Sequence, residues 1–253
     1  MNKQEALFDL TLRLGDNSLI FGHRLSELCS KGPFLEEDIA TTNIALDLVG
    51  QSRILLTYAA QVEGKNRNED DLAYFRSAPE FRSCLLSQLP NGDFAFTNTK
   101  LYFYSVYAHL FLSALTKSKD ETLAGFAGKA IKETTYHVRH AGEWLLRFGD
   151  GTEESHNRLQ KAVDDIWMYT GDMFATTEED KLLIAEGIMP EIASMKSEWF
   201  KIISQHLKTA TIKVPDENAF QQKGSREGKH LEALTYILGE MQVVARAHPG
   251  ATW

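Results

Sequence analysis

The run Ala127–Leu146, AGKAIKETTYHVRHAGEWLL, decides how the chain is read. At about 100° per residue, Leu123, Ala127, Ala130, Ile131, Val138, Ala141 and Leu145 share one helix face, and Thr134 and His137 lie on it too. A helix with two polar side chains inside its apolar stripe follows. A hydroxyl or imidazole buried without a partner costs about 1–3 kcal/mol, so Thr134 and His137 either bond to groups around them or face something at the centre of the fold.

The same register recurs upstream. Laying Lys132-Glu-Thr-Thr-Tyr-His-Val-Arg139 over Leu46-Asp-Leu-Val-Gly-Gln-Ser-Arg53 sets acid on acid and arginine on arginine, an internal repeat. Leu48 then matches Thr134 and Gln51 matches His137, each pair three residues apart and pointing inward. Two facing helices with an inward (i, i+3) pair each are the frame of a ferritin-like bundle. In such bundles the pair is Glu-x-x-His, and two pairs with two lone Glu hold two metal ions. Here the frame is present without its carboxylates.

Outward from these two runs, apolar spacing predicts helices over about Gln4–Ser30, Glu36–Gln61, Phe94–Leu115 and Glu121–Phe148, with Gly15 an interior weak point of the first. Leu72–Leu89, broken by Pro79, reads as short helices, and Pro90-Asn-Gly as a turn. Further helices are expected over Asn157–Tyr169, from Thr177 to near Gly187 with Thr177 and Asp180 as its cap, from Pro190 to Leu207, and over His230–Ala247. Thr209–Pro215, TATIKVP, is β-branched and expected to be extended. Nothing reads as a series of strands. The expected fold class is all-α: a single ferritin-like domain over 1–253, a four-helix bundle of two repeated helical hairpins with additional C-terminal helices.

Of 253 residues, 43% are hydrophobic, enough for a substantial core, and 35 acidic against 27 basic side chains leave a net charge of −8. That balance disfavours nucleic acid or an anionic membrane as a general partner. Cys29 and Cys84 are too few for a disulfide framework or a thiolate metal site. MNKQEALFDL has no signal pattern and no apolar run reaches about 18 residues, so a cytoplasmic protein is expected.

A dimetal carboxylate centre needs anionic oxygens to hold two cations and imidazoles to complete each coordination sphere. The matching inward positions are Leu48, Gln51, Ser105, Thr134 and His137, with Phe21 nearby on the first helix. One neutral imidazole among such groups does not compensate two divalent ions. Glu133 and His137, an (i, i+4) pair, offer a ligand set in a shifted register, but Asp47 and Gln51 supply no second imidazole. The literal Glu227-Gly-Lys-His230 lies in a loop, where the spacing has no ligand meaning. That loop, Lys223-Gly-Ser-Arg-Glu-Gly-Lys-His230, reads either as a capped turn or as a basic loop suited to a phosphate, through Lys223, Arg226, Lys229 and His230. His137 is the best candidate for a general base, against its reading as a satisfied core residue.

The runs NIALDLVGQSRILLTYAA, LRLGDN, QLPNGDFA, KAIKETTYHVRHAGEWLLRFG and the final LGEMQ with closing Trp253 resemble the PaaC family, the structural subunits of bacterial phenylacetyl-CoA epoxidase. The resemblance covers essentially the whole chain. It implies a non-catalytic subunit with no cofactor of its own, paired with a homologous catalytic subunit that holds the di-iron centre. Other subunits of the monooxygenase complex are implied too, among them a reductase supplying electrons from NADPH, and ring epoxidation of phenylacetyl-CoA in phenylacetate breakdown. Carried over by motif, Leu48, Gln51, Ser105, Thr134 and His137 stand where the catalytic homologue has iron ligands. The resemblance also implies an approach of the loop from Lys223 to His230 to the catalytic partner or to the phosphates of a CoA thioester.

Overall fold

The computed structural model describes residues 2–251, so Trp253 of the resemblance lies outside the described residues. These residues form ten α-helices and three 3-10 turns, with no strand among them. The all-α, ferritin-like plan expected from the sequence is the one adopted. The chain divides into two compact units, one within Met1–Pro90 and Gly224–Trp253, the other Asn91–Lys223.

The first unit is built on α1 (Lys3–Ser26) and α2 (Leu35–Glu63). Asn2 and Glu5 form a capping box at the start of α1. The helix stops at Ser26, four residues short of the expected end, because Leu28 and Cys29 donate to the carbonyls of Leu25 and Ser26 in a tighter turn and Ser30 turns left-handed at φ 65°. α2 closes on Gly64, left-handed at φ 68°. The two helices run antiparallel at close range: a Cβ on Gly15 would stand 2.7 Å from Leu56 Cδ2, and one on Gly22 3.0 Å from Val49 Cγ2 and 3.2 Å from the Ala45 carbonyl. What looks in sequence like a weak point is the seam of the hairpin.

Three short pieces follow α2: α3 (Glu69–Tyr74), packed on α2, a 3-10 turn at Ala78–Glu80 that contains Pro79, and α4 (Leu85–Gln88), packed on α1. Asp16, fully buried on α1, accepts from Arg76 and from the Arg82 amide at 2.7 Å. Neighbouring Asn17 accepts from the Cys84 amide at 2.7 Å.

The second unit pairs α5 (Phe94–Leu115) with α6 (Glu121–Gly149), again antiparallel, with Phe94 edge-on to Trp144 at 5.0 Å and to Phe148 at 5.9 Å. α5 is buried along most of its length and is covered by α6, α7 (Glu153–Trp167) and α9 (Ile192–Thr209). Trp167 and Trp199 meet Phe103 at 5.8 and 5.6 Å, and Trp199 donates to the Phe103 carbonyl at 2.9 Å. Between α7 and α9 lies α8 (Glu178–Ala185), whose Thr177–Asp180 capping box is the one expected. Thr209–Pro215 is non-helical but pairs with no strand; Thr211 is left-handed at φ 60° and Gln160 of α7 binds Lys213 through both backbone groups, at 2.8 and 3.3 Å. The last helix of the first unit, α10 (Glu232–Ala247), begins two residues later than expected. The Leu231 amide donates to Gln88 Oε1 at 3.0 Å instead of entering a turn of helix.

The glycine seam gives an opposed pair of expectations. Gly22→Val should lower the urea midpoint by an amount equivalent to about 1–3 kcal/mol, because backbone at the Ala45 carbonyl must move. Gly128→Ala, where a Cβ meets open space on α6, should raise it by up to about 1 kcal/mol.

Candidate functional site

α2 carries Leu48 and Gln51 and α6 carries Thr134 and His137, and all four are buried on the inward faces the repeat assigns them. The period of 3.6 puts residues three apart on one face, so each helix presents its pair as a ferritin-like frame would. Ser105, on α5, is buried as well. None of the five bears a carboxylate.

Thr134 satisfies itself. Its hydroxyl donates to the Ala130 and Ile131 carbonyls, both at 3.2 Å, within its own helix. Ser105 Oγ makes no hydrogen bond, and neither do the buried hydroxyls of Ser52 and Ser204. Beyond His137 on α6, Tyr136 stacks on His140 at 5.6 Å and lies under the Arg139 guanidinium at 5.7 Å, an exposed cluster away from the stripe.

A five-residue set of Leu, Gln, Ser, Thr and His does not fit a dimetal carboxylate centre, whose cations need four or more anionic oxygens. Among the described residues, no three His, Cys, Asp or Glu side chains gather where they could hold a metal ion. That covers the shifted register through Glu133, which is half-buried beside the stripe.

Within the first unit the segment from Gly224 to His230 is a capped turn: a 3-10 turn at Ser225–Glu227, with Gly224 at φ 146° and Gly228 at φ 72°. A Cβ on Gly228 would stand 2.6 Å from the Pro79 carbonyl, so only glycine fits. Arg226 donates to the Arg82 carbonyl at 3.3 Å. His230 donates through Nε2 to the Phe81 carbonyl at 3.0 Å and accepts at Nδ1 from Gln88 at 2.8 Å. Lys229 pairs with Glu227. Lys223 is exposed in the other unit. Of the four basic residues singled out in sequence, Arg226 and His230 spend donors on backbone carbonyls, while the two lysines reach the surface.

Sequence reasoning passed over the polar network on α1. Its signal was present as Asp16-Asn17 between the apolar residues Leu14 and Leu19, where charge has no reason to be buried unless a cation answers it.

The fold and these faces define a ferritin-like helical protein whose inward positions carry no carboxylate. The profile of the family described as phenylacetic acid catabolic protein matches residues 1–253, and the chain belongs to that family. It is 40% identical over 243 residues to the C subunit of 1,2-phenylacetyl-CoA epoxidase of Escherichia coli strain K12, a match covering 96% of this chain and 97% of that one. The resemblance read from sequence is borne out. No helix of the described residues is long and apolar enough to cross a membrane.

Two expectations concern these helices. Because the Thr134 hydroxyl bonds only to its own helix among the contacts described, Thr134→Val should change unfolding free energy by less than about 1 kcal/mol. His206 of α9 donates to the Gly142 carbonyl on α6 at 2.9 Å and lies 4.6 Å from the Tyr102 ring. Burial pushes its imidazole below the usual value of 6.5, partly opposed by that hydrogen bond. The unfolded chain therefore binds more protons as pH falls below 6.5, so this contribution is complete above 6.5 and is lost as pH drops through the lower folded value. His206→Gln should make the acid decline of the urea midpoint shallower. Some slope should persist, since burial lowers His23 and His109 as well.

Proposed function

We propose that this chain is the non-catalytic, structural subunit of a multicomponent phenylacetyl-CoA epoxidase, which binds and stabilises a homologous di-iron catalytic subunit and so serves ring epoxidation in aerobic phenylacetate degradation. The reading is supported by the match along nearly the full length of both chains to a protein named as the C subunit of that enzyme. The observation that carries the non-catalytic part is the donor set: Leu48, Gln51, Ser105 and Thr134 supply no anionic oxygen where metal-binding bundles of this plan place carboxylates. With no charge there to hold cations, the chain's contribution is its helical surface. In this reading it carries no cofactor, and the iron belongs to the partner.

The loop at Lys223 to His230 takes a secondary part, as a contact for the partner or for the phosphates of the CoA thioester. That contact falls to the ammonium group of Lys223, since Arg226 and His230 are bonded to backbone carbonyls and Lys229 is paired with Glu227.

Co-expression with the homologous catalytic chain tests the reading. The two should co-purify, and epoxidation of phenylacetyl-CoA should require both chains together with the reductase. This chain purified alone from iron-rich medium should hold near-zero iron and give no turnover. About two irons per chain, or epoxidation without the homologue, would instead make it a free-standing di-iron oxygenase.

A further inference from the structure

Gln88 has no freedom to turn, and that makes the histidine beside it sensitive to a proton. Its side chain is fully buried on α4. Nε2 donates to the Ser83 carbonyl at 2.7 Å and meets Ser83 Oγ at 3.2 Å, while Oε1 accepts from the Leu231 amide at 3.0 Å. Backbone groups on both sides thus orient the amide, with an N–H towards His230. His230 Nδ1 stands 2.8 Å from that N–H and has to accept, and its Nε2 lies 3.0 Å from the Phe81 carbonyl and has to donate. Only the neutral imidazole satisfies both. A proton on Nδ1 would set N–H against N–H. Turning the Gln88 amide over gives no relief, because Oε1 would then face the Ser83 carbonyl and the amino group would face the Leu231 amide.

The charges on the surrounding segments do not compensate a proton there. From α1, Arg24 donates to the Gln88 carbonyl at 3.1 Å and to the Ala233 carbonyl at 2.7 Å, a fixed cation on the two segments that His230 joins, and Glu27 answers it at 2.8 Å. In the connector Arg76 pairs with Asp16, Arg82 pairs with Asp9 at 3.3 Å, and Glu80 accepts from Ser77. Within the turn Arg226 donates to the Arg82 carbonyl and Lys229 holds Glu227. At the start of α10, Glu232 accepts from Tyr236 at 2.8 Å. Each of these carboxylates already has a donor.

We infer that the His230–Gln88 pair is a proton-operated latch. With His230 neutral, it fastens the turn that leads into α10 onto residues 81–88. With His230 protonated, it releases the stretch from Gly224 to Leu231 while the α1–α2 hairpin stays folded. The ring is half-buried, so a proton reaches it without global unfolding. The open form takes up the proton more readily than the closed one. The latch therefore holds in full above the ordinary imidazole value of about 6.5, and its hold is lost as pH falls below that. The inference does not rest on the epoxidase reading, because it concerns bonds within this chain.

Hydrogen exchange of the full-length chain, corrected for the intrinsic pH dependence of amide exchange, reads the latch at the Leu231 amide. Between pH 7.5 and about pH 5.5 its protection should fall at least about fivefold, one proton allowing at most about tenfold per pH unit, while amides of α2 keep theirs. His230→Gln has no proton to take and should give the same Leu231 protection at both ends of the range. Gln88→Glu sets a carboxylate opposite Nδ1, so the imidazolium becomes the fastened form and protection should rise as pH falls. Protection of the wild-type amide that is flat across the range overturns the inference. So does the wild-type trend persisting in His230→Gln or in folded Gln88→Glu. An equal loss of protection in α2 overturns it as well, since the opening would then be global. Should Gln88→Glu fail to fold, His230→Gln decides alone.

Discussion

The first unit depends on one buried ion pair. Asp16 on α1 and Arg76, in the connector after α3, are both withdrawn from water. Such a pair is worth little against an apolar replacement, but removing one member costs about 3–5 kcal/mol because the other charge is left stranded. Arg76 also donates to the Glu80 carbonyl at 3.0 Å and lies over the Phe81 ring at 4.1 Å, while Asp16 holds the Arg82 amide. One carboxylate thus fixes the course of the chain through residues 76–82. That course presents the Pro79 and Phe81 carbonyls to Gly228 and His230, and Gln242 of α10 donates to the Ala73 and Arg76 carbonyls at 3.1 and 3.0 Å. The turn that read in sequence either as a capped turn or as a basic loop suited to a phosphate is shaped by these contacts.

The long hairpins solve a different problem with neutral groups. In each hairpin the inward positions are buried whether or not they are ligands, and the residues there must be tolerable without a cation. Leucine at 48 and a hydroxyl at 134 bonded to its own helix meet that demand. The amphipathic asymmetry then differs between the two repeats: α6 is polar outside, α2 is not.

Much of this was legible in the sequence. Phe94–Leu115 and the Thr177 cap were placed correctly because period and capping chemistry are local, and the inward faces at 48, 51, 134 and 137 follow from 3.6 residues per turn. The family was legible from runs such as KAIKETTYHVRHAGEWLLRFG. The Asp16–Arg76 pair was not, since its members are 60 residues apart and neither announces the other. Nor was the end of α1 at Ser26, set by a turn that competes with one more round of helix. The tight seam at Gly15 and Gly22 read as weakness because a glycine's value lies in the neighbour it admits. TATIKVP has strand composition but nothing to pair with, and the Gln160 side chain takes its backbone instead.

Chain order adds a last consequence. The unit from Asn91 to Lys223 is continuous, so all of it has left the ribosome while the other unit still lacks Gly224 onward. The Arg24 guanidinium, for example, reaches the Ala233 carbonyl 209 residues away. During synthesis the N-terminal hairpin therefore stays without the cover that α10 gives to part of α1 until the last residues emerge.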